Sequence, residues 1–252
     1  MSHTICWLNG YTPFPDPRLA ADEGLLAIGG DLSFQRLLAA YQKGIFPWYN
    51  QDEPILWWCP NPRMVLFCDE FKISKSLAKK CRQLARYEQQ PDQRRFLVTL
   101  DRAFLQVISA CASTRQETGT WIHPEMIQAY YTLHLKGYAH SIELWEADQL
   151  VAGLYGVRLG HFFFGESMFT KINDGSKIAL FYLVQYLTQQ GIQHIDCQQE
   201  TAHLARLGAR AIPRAQFLDL LQQHSQAPQI PWQAGQLLAS GTLLPFAAMP
   251  SS

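Results

Sequence analysis

The sequence has no Cys-x-x-Cys pair, no metal-binding histidine spacing and no long apolar run. Its nearest two cysteines are nine residues apart, which excludes a zinc ribbon or a thioredoxin motif and favours free thiols. Its eight histidines form no H-E-x-x-H pattern, and no G-x-x-x-x-G-K-[ST] phosphate loop occurs. Charged or amide residues interrupt every apolar stretch before about 18 positions. We therefore expect a cytoplasmic protein that uses no metal or cofactor and does not bind a membrane.

Charge is also scarce in this chain. Only 17% of its 252 residues are charged, and 21 Lys and Arg balance 21 Asp and Glu, which excludes a generally basic surface. One segment differs, because residues 72–95 hold eight Lys or Arg against Glu88 and Asp92, a local net charge of +6. On a predicted helix from Ser74, one face carries Lys75, Lys79, Arg82 and Arg86. Such a stripe fits the phosphates of a nucleic acid, and it fits an ordinary solvated face equally well.

The pattern divides the chain into three parts and predicts an α+β fold. Residues 1–62 are rich in Pro, Gly and Trp and form a small domain, and residues 63–224 form a mixed, mostly antiparallel sheet covered by helices. Residues 225–252 form an uncharged tail that either lies on the body or is partly disordered. The predicted helices cover 33–43, 74–86, 174–191 and 201–207, and others begin at Asp101, Pro124 and Arg214. The predicted strands cover 95–100, 139–146, 149–158, 161–169, 193–198 and a short stretch around Ile212.

Two polar side chains stand at the end of a predicted strand. In Ile195-Asp-Cys-Gln198, strand alternation places Asp196 and Gln198 on one face and the other two residues on the opposite face. A carboxylate there can polarise the amide, whose oxygen can accept a hydrogen bond from an attacking amine. The same pattern is also typical of an ordinary polar strand end.

A second acidic residue lies within the aromatic stretch from His161 to Phe169. Alternation places Glu166 on one strand face with Phe162, Phe164 and Met168, and it places Phe163, Gly165 and Ser167 on the other. A buried carboxylate is costly unless it is paired. We therefore expect Glu166 to receive a substrate cation, or else to pair with Lys177 or a backbone donor.

Tryptophans are concentrated in two places. Trp48, Trp57 and Trp58 fall within eleven residues, and Trp121 lies in a predicted loop. Exposed aromatic rings can stack on a nucleobase, although buried ones more often belong to the core.

Several motifs follow one another between about Gly24 and Phe217. They are Gly24-Leu-Leu-Ala-Ile-Gly-Gly-Asp-Leu-Ser33, Gly44-Ile-Phe-Pro-Trp48, Ile55-Leu-Trp-Trp58, Pro62-Arg63, Gly119-Thr-Trp-Ile122, His140-Ser-Ile-Glu143, Gly165-Glu-Ser-Met-Phe169, Ser176-Lys177, Asp196-Cys-Gln198, Leu207-Gly208 and Ile212-Pro-Arg214. Together they make the sequence resemble the bacterial leucyl/phenylalanyl-tRNA–protein transferase family.

The resemblance implies a small amino-terminal domain joined to a GNAT-like acyltransferase domain. Such an enzyme moves Leu or Phe, with Met as a minor substrate, from aminoacyl-tRNA to the α-amino group of proteins that begin with Arg or Lys. The product enters the bacterial N-degron route of protein degradation. Because the ester of the charged tRNA supplies the driving force, neither ATP nor a metal is needed. We expect a monomer.

The resemblance also implies roles for individual residues. Asp196 polarises Gln198, whose side chain orders the attacking amine, and Glu166 is the counter-charge for the acceptor. Trp48 and Trp121 hold the terminal adenosine. The pocket for Leu or Phe is shaped by Leu154, Phe163, Gly165 and Ile195. The tRNA backbone is held by Lys75, Lys79, Lys80, Arg82 and Arg86.

Two other functions compete with this one. A coenzyme-A-dependent N-acetyltransferase would share the fold type, but it needs a [QR]-x-x-G-x-[GA] loop for the pyrophosphate. The nearest stretches, 205–210 and 116–121, begin with Ala and end with Trp respectively. A non-catalytic tRNA-binding module is the other alternative, and it gives no reason for Asp196 and Gln198 to stand together.

Overall fold

The computed structural model describes residues 5–88, 90, 92–114 and 121–246. Its strands are β1 (Cys6–Leu8), β2 (Leu25–Gly29), β3 (Phe46–Pro47), β4 (Leu56–Trp58), β5 (Arg63–Phe67), β6 (Phe96–Leu100), β7 (Ala139–Glu146), β8 (Gln149–Leu159), β9 (Phe162–Thr170), β10 (His194–Gln198), β11 (Arg210–Ile212), β12 (Gly235–Leu237) and β13 (Leu243–Pro245). Its helices are α1 (Phe34–Gln42), α2 (Lys75–Tyr87), α3 (Phe104–Ser113), α4 (Pro124–Leu135), α5 (Gly175–Gln189), α6 (Ala202–Arg206) and α7 (Arg214–His224).

A small sheet is built from the first part of the chain, in the order β1-β2-β4-β3. Helix α1 forms as predicted and follows β2, and the Ser33 hydroxyl accepts from the backbone N–H of Arg36 at its start. Gly44 ends this helix with a φ of +69°, and a Cβ there would lie 2.5 Å from the Phe217 ring. Only glycine therefore allows the chain to turn into β3 while packing against α7.

The large sheet has nine strands in the order β11-β5-β10-β9-β8-β7-β6-β12-β13. The strands predicted at 139–146, 149–158 and 161–169 are confirmed as the antiparallel meander β7-β8-β9, and every neighbouring pair is antiparallel except β9 with β10. One face packs against α1, α3 and α4, and the other packs against α2 and α5. The fold is thus α+β, with a separate apolar core on each side of the sheet.

Strand β5 was absent from the sequence prediction. It pairs with β10 on one side and β11 on the other, and residues 63–66 are fully buried. A strand that is covered on both faces shows no alternation of polar and apolar residues, so its periodicity gives no signal.

The tail also forms regular structure. Strand β12 pairs antiparallel with β6, and β13 pairs with β12, so the large sheet continues through residues that lack any charge. Within this tail, Leu237 at the end of β12 and the following Leu238 are both buried.

One predicted helix start is wrong. Helix α3 begins at Phe104 rather than Asp101, because the Asp101 carboxylate accepts from the backbone N–H of Ser141 at 2.8 Å and lies 2.7 Å from His140 Nδ1. It therefore fixes the neighbouring strand β7. The predicted start at Asp174 is confirmed, since Asp174 is the N-cap residue of α5, although its carboxylate binds Lys80 and Lys177 and makes no capping hydrogen bond.

Two negative findings apply to the described ranges 5–88, 90, 92–114 and 121–246. No helix in them is long and apolar enough to cross a bilayer. No three of their His, Cys, Asp or Glu side chains lie close enough together to hold a metal ion.

Candidate active site

A cavity of about 420 Å³ lies where the small sheet meets the middle of the large one. The structure brings eight of the predicted site residues to its wall, namely Trp48, Trp121, Leu154, Phe163, Gly165, Glu166, Ile195 and Gln198. Sequence reasoning did not single out four further apolar wall residues, Leu66, Met168, Leu180 and Leu183. Most of the wall is therefore aliphatic or aromatic, and Glu166 and Gln198 are among its few polar side chains.

The position of Met168 corrects the predicted strand alternation. The β8–β9 register shifts so that Tyr155 pairs with Ser167 and Gly156 with Gly165, which leaves Glu166 as an extra residue. The alternation of faces is reversed beyond this bulge. Met168 consequently lies on the same side of the sheet as Phe163, and not with Phe164 as alternation predicted.

Glu166 has partners that the sequence did not suggest. Its carboxylate accepts from the Tyr41 hydroxyl at 2.7 Å, the Tyr130 hydroxyl at 3.1 Å and Gln198 Nε2 at 3.0 Å. The predicted alternative, Lys177, instead binds Asp174 at 2.9 Å. Because Tyr41 and Tyr130 read as apolar-face residues of α1 and α4, no local signal marked them as carboxylate donors.

Burial changes the acid–base properties of this cluster. It raises the pKa of Glu166 to about 7, even though the hydrogen bonds from Tyr41, Tyr130 and Gln198 lower it. Burial and the adjacent carboxylate raise the pKa of Tyr41 and of Tyr130 well above 10. Glu166 can therefore change charge near neutral pH, while both tyrosines remain protonated donors.

The side-chain amide of Gln198 donates to Glu166 and not to Asp196, which corrects the predicted arrangement. The register with β5 shifts between the two residues, and Gln198 has a φ of +61°, so their side chains no longer share a face. The fully buried Asp196 carboxylate accepts from Arg63 Nε at 2.8 Å and Nη2 at 2.6 Å. It also accepts from the backbone N–H of Gln198 at 2.8 Å. Asp196 thus acts on the main chain of Gln198, and the amide of Gln198 pairs with Glu166.

The tryptophans divide into wall and core. Trp48 is 39% exposed and Trp121 is half-buried, and both line the cavity. Trp58 packs edge-on against Trp48 and donates from Nε1 to its carbonyl oxygen at 2.7 Å, whereas Trp57 is a fully buried core residue. Residues 119 and 120 of the motif before Trp121 lie outside the described residues.

The basic helix forms as predicted. In α2 the exposed cations are Lys75, Lys79, Arg82 and Arg86. Leu77 and Cys81 are buried in the core on the opposite side, which confirms the division into faces. Lys80 differs from the others because it is half-buried and its Nζ lies 2.5 Å from Asp174 Oδ2. None of these five cations lines the cavity.

Comparison with known proteins gives a consistent result. Residues 65–222 match the family model described as leucyl/phenylalanyl-tRNA protein transferase, and residues 30–61 match the model of its N-terminal domain. A leucyl/phenylalanyl-tRNA–protein transferase from Bordetella avium is 54% identical over 243 residues, which are 95% of this chain and 97% of the relative. The protein of the same name from Nitrosomonas eutropha is 54% identical over 221 residues, 86% of this chain and 90% of the relative.

Solved structures are more distant. L-PGS from Bacillus licheniformis is 15% identical with a TM-score of 0.36, and the match covers 70% of this chain and 54% of that one. This likeness is too remote to bear on function.

Proposed function

The chain belongs to the leucyl/phenylalanyl-tRNA–protein transferase family, and from this premise we propose how its cavity receives the two substrates. The protein transfers leucine or phenylalanine from an aminoacyl-tRNA to a protein. One observation carries the proposal: a largely apolar cavity of about 420 Å³ holds a buried carboxylate hydrogen-bonded to an amide on its wall. Neither the acetyltransferase nor the non-catalytic module is favoured by the relatives.

The apolar wall would receive the side chain of the transferred amino acid. Leu154, Phe163 and Ile195 are each at most 3% exposed and line the cavity, and Gly165 contributes no side chain that would narrow it. An apolar pocket separates neighbouring aliphatic side chains by only about 1 to 3 kcal/mol. Minor transfer of methionine is therefore part of the proposal.

The terminal adenosine would lie between the two wall tryptophans. Trp48 follows β3 of the small sheet, and Trp121 precedes α4, so the rings come from separate parts of the chain. Their exposed faces suit base stacking, which contributes about 1 to 3 kcal/mol per base. This arrangement would place the ester of the 3′ end beside Glu166 and Gln198.

The acceptor amine would bind at the carboxylate–amide pair. Because Gln198 Nε2 donates to Glu166, its carbonyl oxygen is oriented to accept a hydrogen bond from the amine. The amine nitrogen attacks the ester carbonyl, an amide bond forms, and the bond to the ribose oxygen breaks. The bound ammonium first releases one proton to become the neutral nucleophile. The nitrogen loses a second proton as the amide forms, and the ribose oxygen gains one. Glu166 supplies the counter-charge for the amine, with a pKa suited to neutral pH.

The finer identity of the acceptor rests on the family resemblance. We propose proteins with amino-terminal Arg or Lys as acceptors, and modification that directs them to the N-degron route. We also propose that the enzyme acts as a monomer in the cytoplasm, where charged tRNA is available, without binding a membrane.

A transfer assay tests this function. Incubation with Leu-tRNA or Phe-tRNA and a peptide that begins with Arg is expected to add one residue to the peptide, detected by mass spectrometry. The same peptide with an acetylated amino terminus is the control, because it has no free amine to attack the ester. Acetylation of the free peptide from acetyl-CoA, with no addition from the charged tRNA, would show that the function is wrong.

The exposed cations of α2 are proposed to hold the tRNA backbone. Replacing Lys75, Lys79 and Arg82 with Ala is expected to weaken tRNA binding and to reduce the log–log salt slope by about 0.7 to 0.9 for each lost phosphate contact. Binding titrations at several salt concentrations measure this. Arg210→Ala is the control, because this exposed cation lies outside α2 and is paired with Glu70. An unchanged slope in the triple variant would exclude the helix from the tRNA interface.

A further inference from the structure

Arg63 occupies an unusual position for a cation. Its side chain is fully buried on β5, and its guanidinium lies over the ring of Phe46 at 4.8 Å and that of Phe217 at 4.4 Å. Its Nε and Nη2 both donate to the Asp196 carboxylate, a bidentate geometry that fixes the orientation of the acid. Two aromatic rings and a bidentate carboxylate thus hold the guanidinium in place.

Asp196 passes this constraint to the cavity wall. Its Oδ1 accepts from the backbone N–H of Gln198 at 2.8 Å, and that residue has a left-handed φ of +61° at the β10 bulge. The left-handed region is unfavourable for residues other than glycine unless surrounding contacts hold the backbone there. The conformation turns the Gln198 side chain toward Glu166, 3.0 Å from Nε2 to Oε1. The hydrogen-bond chain therefore runs from Arg63 through Asp196 to the backbone, and then to the amide.

We propose that Arg63 is a positioning residue for the transfer reaction, which holds Asp196 so that the bulged backbone aims the Gln198 amide at Glu166 and the cavity. The inference rests on the proposed function of Gln198 and Glu166. It differs from direct polarisation of the Gln198 side chain by Asp196. Here Asp196 acts through the main chain, and Arg63 fixes the position of Asp196.

Arg63 and Asp196 also set the electrostatic environment of Glu166. The groups that face Glu166 are Tyr41 on α1, Tyr130 on α4, Gln198 and Asp196 on β10, and Arg63 on β5. Asp196 raises the pKa of Glu166, and the positive charge of Arg63 opposes this. Losing Arg63 alone should therefore move the pH profile of transfer to higher pH, and losing the Asp196 charge alone should move it lower.

Substitutions at Arg63 separate the positioning role from a purely structural one. Arg63→Lys keeps the charge but loses the bidentate fork, so we expect kcat to fall about 10- to 100-fold, with the pH profile and tRNA affinity nearly unchanged. Arg63→Met should lower kcat similarly and shift the profile to higher pH. The double variant Arg63→Met, Asp196→Leu removes both charges and is the most tolerated replacement of the buried pair. It should restore the position of the profile while kcat stays low.

Arg214→Met is the matched control. Arg214 also joins distant segments, donating to the carbonyl oxygens of Cys59 and Ala20, but it does not bind Asp196 or line the cavity. This variant should lose stability and keep the kcat of each folded molecule.

The outcomes distinguish this inference from the proposed function. The first case is that Gln198→Ala is slow, as expected. A kcat equal to that of the wild type in folded Arg63→Lys and in the double variant would then overturn the positioning role. Wild-type kcat in Gln198→Ala as well would overturn the proposed site itself. Low kcat in Arg63→Lys with KM for the peptide within about 3-fold of wild type supports the inference.

Discussion

Gln198→Ala is expected to slow transfer about 100-fold or more, while the affinity for Leu-tRNA stays within about 2-fold of wild type. The reason is geometric. The amide oxygen would accept a hydrogen bond from the attacking amine, and alanine offers no such acceptor. Neither the proposed stacking of adenosine on Trp48 nor the proposed binding of tRNA by the α2 cations involves this side chain. Single-turnover rates with bound Leu-tRNA and separate binding titrations measure the two quantities.

A nearby glutamine provides the control for this experiment. Gln193 directly precedes β10, is exposed and does not line the cavity. Gln193→Ala should therefore leave both the rate and the affinity unchanged. If Gln198→Ala loses rate and affinity to the same extent, the residue has a structural role and the proposed mechanism is wrong.

Glu166→Gln is expected to slow transfer about 10- to 100-fold and, at pH 8, to raise the free energy of unfolding by about 1 to 3 kcal/mol. The pKa of this carboxyl is about 7 in the folded protein against an ordinary value of 4.5. The folded state therefore holds the proton more tightly than the unfolded chain. The contribution of this carboxyl group to the free energy of unfolding is largest below pH 4.5. It is lost as the pH rises through about 7 and amounts to roughly 3 kcal/mol. Glu166→Gln removes this loss of stability. Part of the gain is offset because the hydrogen bonds that the carboxylate accepts are weaker with a neutral amide.

Urea unfolding of both proteins between pH 4.5 and 8 measures the effect, and the difference should shrink toward the acidic end. Glu143→Gln is the control, because burial also raises the pKa of Glu143 to about 7 and this residue does not line the cavity. It should show the same pH trend in stability and an unchanged transfer rate. A Glu166→Gln protein that is less stable than wild type at pH 8 would contradict the argument.

Wild-type transfer should follow the same ionisation. As the pH falls through about 7, Glu166 becomes protonated and loses the charge proposed to attract the amine. The transfer rate should therefore fall as the pH is lowered below about 7. Glu166→Gln has no carboxyl group to protonate and should show no such fall.

Periodicity predicted the parts of the fold in which each residue occupies a regular position. The basic face of α2 and the β7-β8-β9 meander follow directly from spacing. Spacing failed at two bulges, where one extra residue, Glu166 or Cys197, reverses the order of faces beyond it. Both bulges lie at the cavity, so alternation was least reliable at the site itself.

The partners of the site residues were not predictable because they are remote along the chain. Tyr41 is 125 residues from Glu166, Tyr130 is 36 residues away, and Arg63 is 133 residues from Asp196. Each lies in an element whose own pattern is accounted for by core packing. Only the tertiary arrangement shows that these hydroxyls and this guanidinium serve buried carboxylates.

The pairing of the uncharged tail with β6 has a consequence for solubility. Before β12 is in place, β6 is an open edge whose backbone groups can pair with another copy of the chain. Strand β13 then becomes the outermost strand, and it ends in Pro245, which has no N–H to offer an incoming strand. The tail thus covers the Thr99 and Leu100 end of the β6 edge, and the new outer edge is a three-residue strand that ends in proline, without a single charged residue in either tail strand.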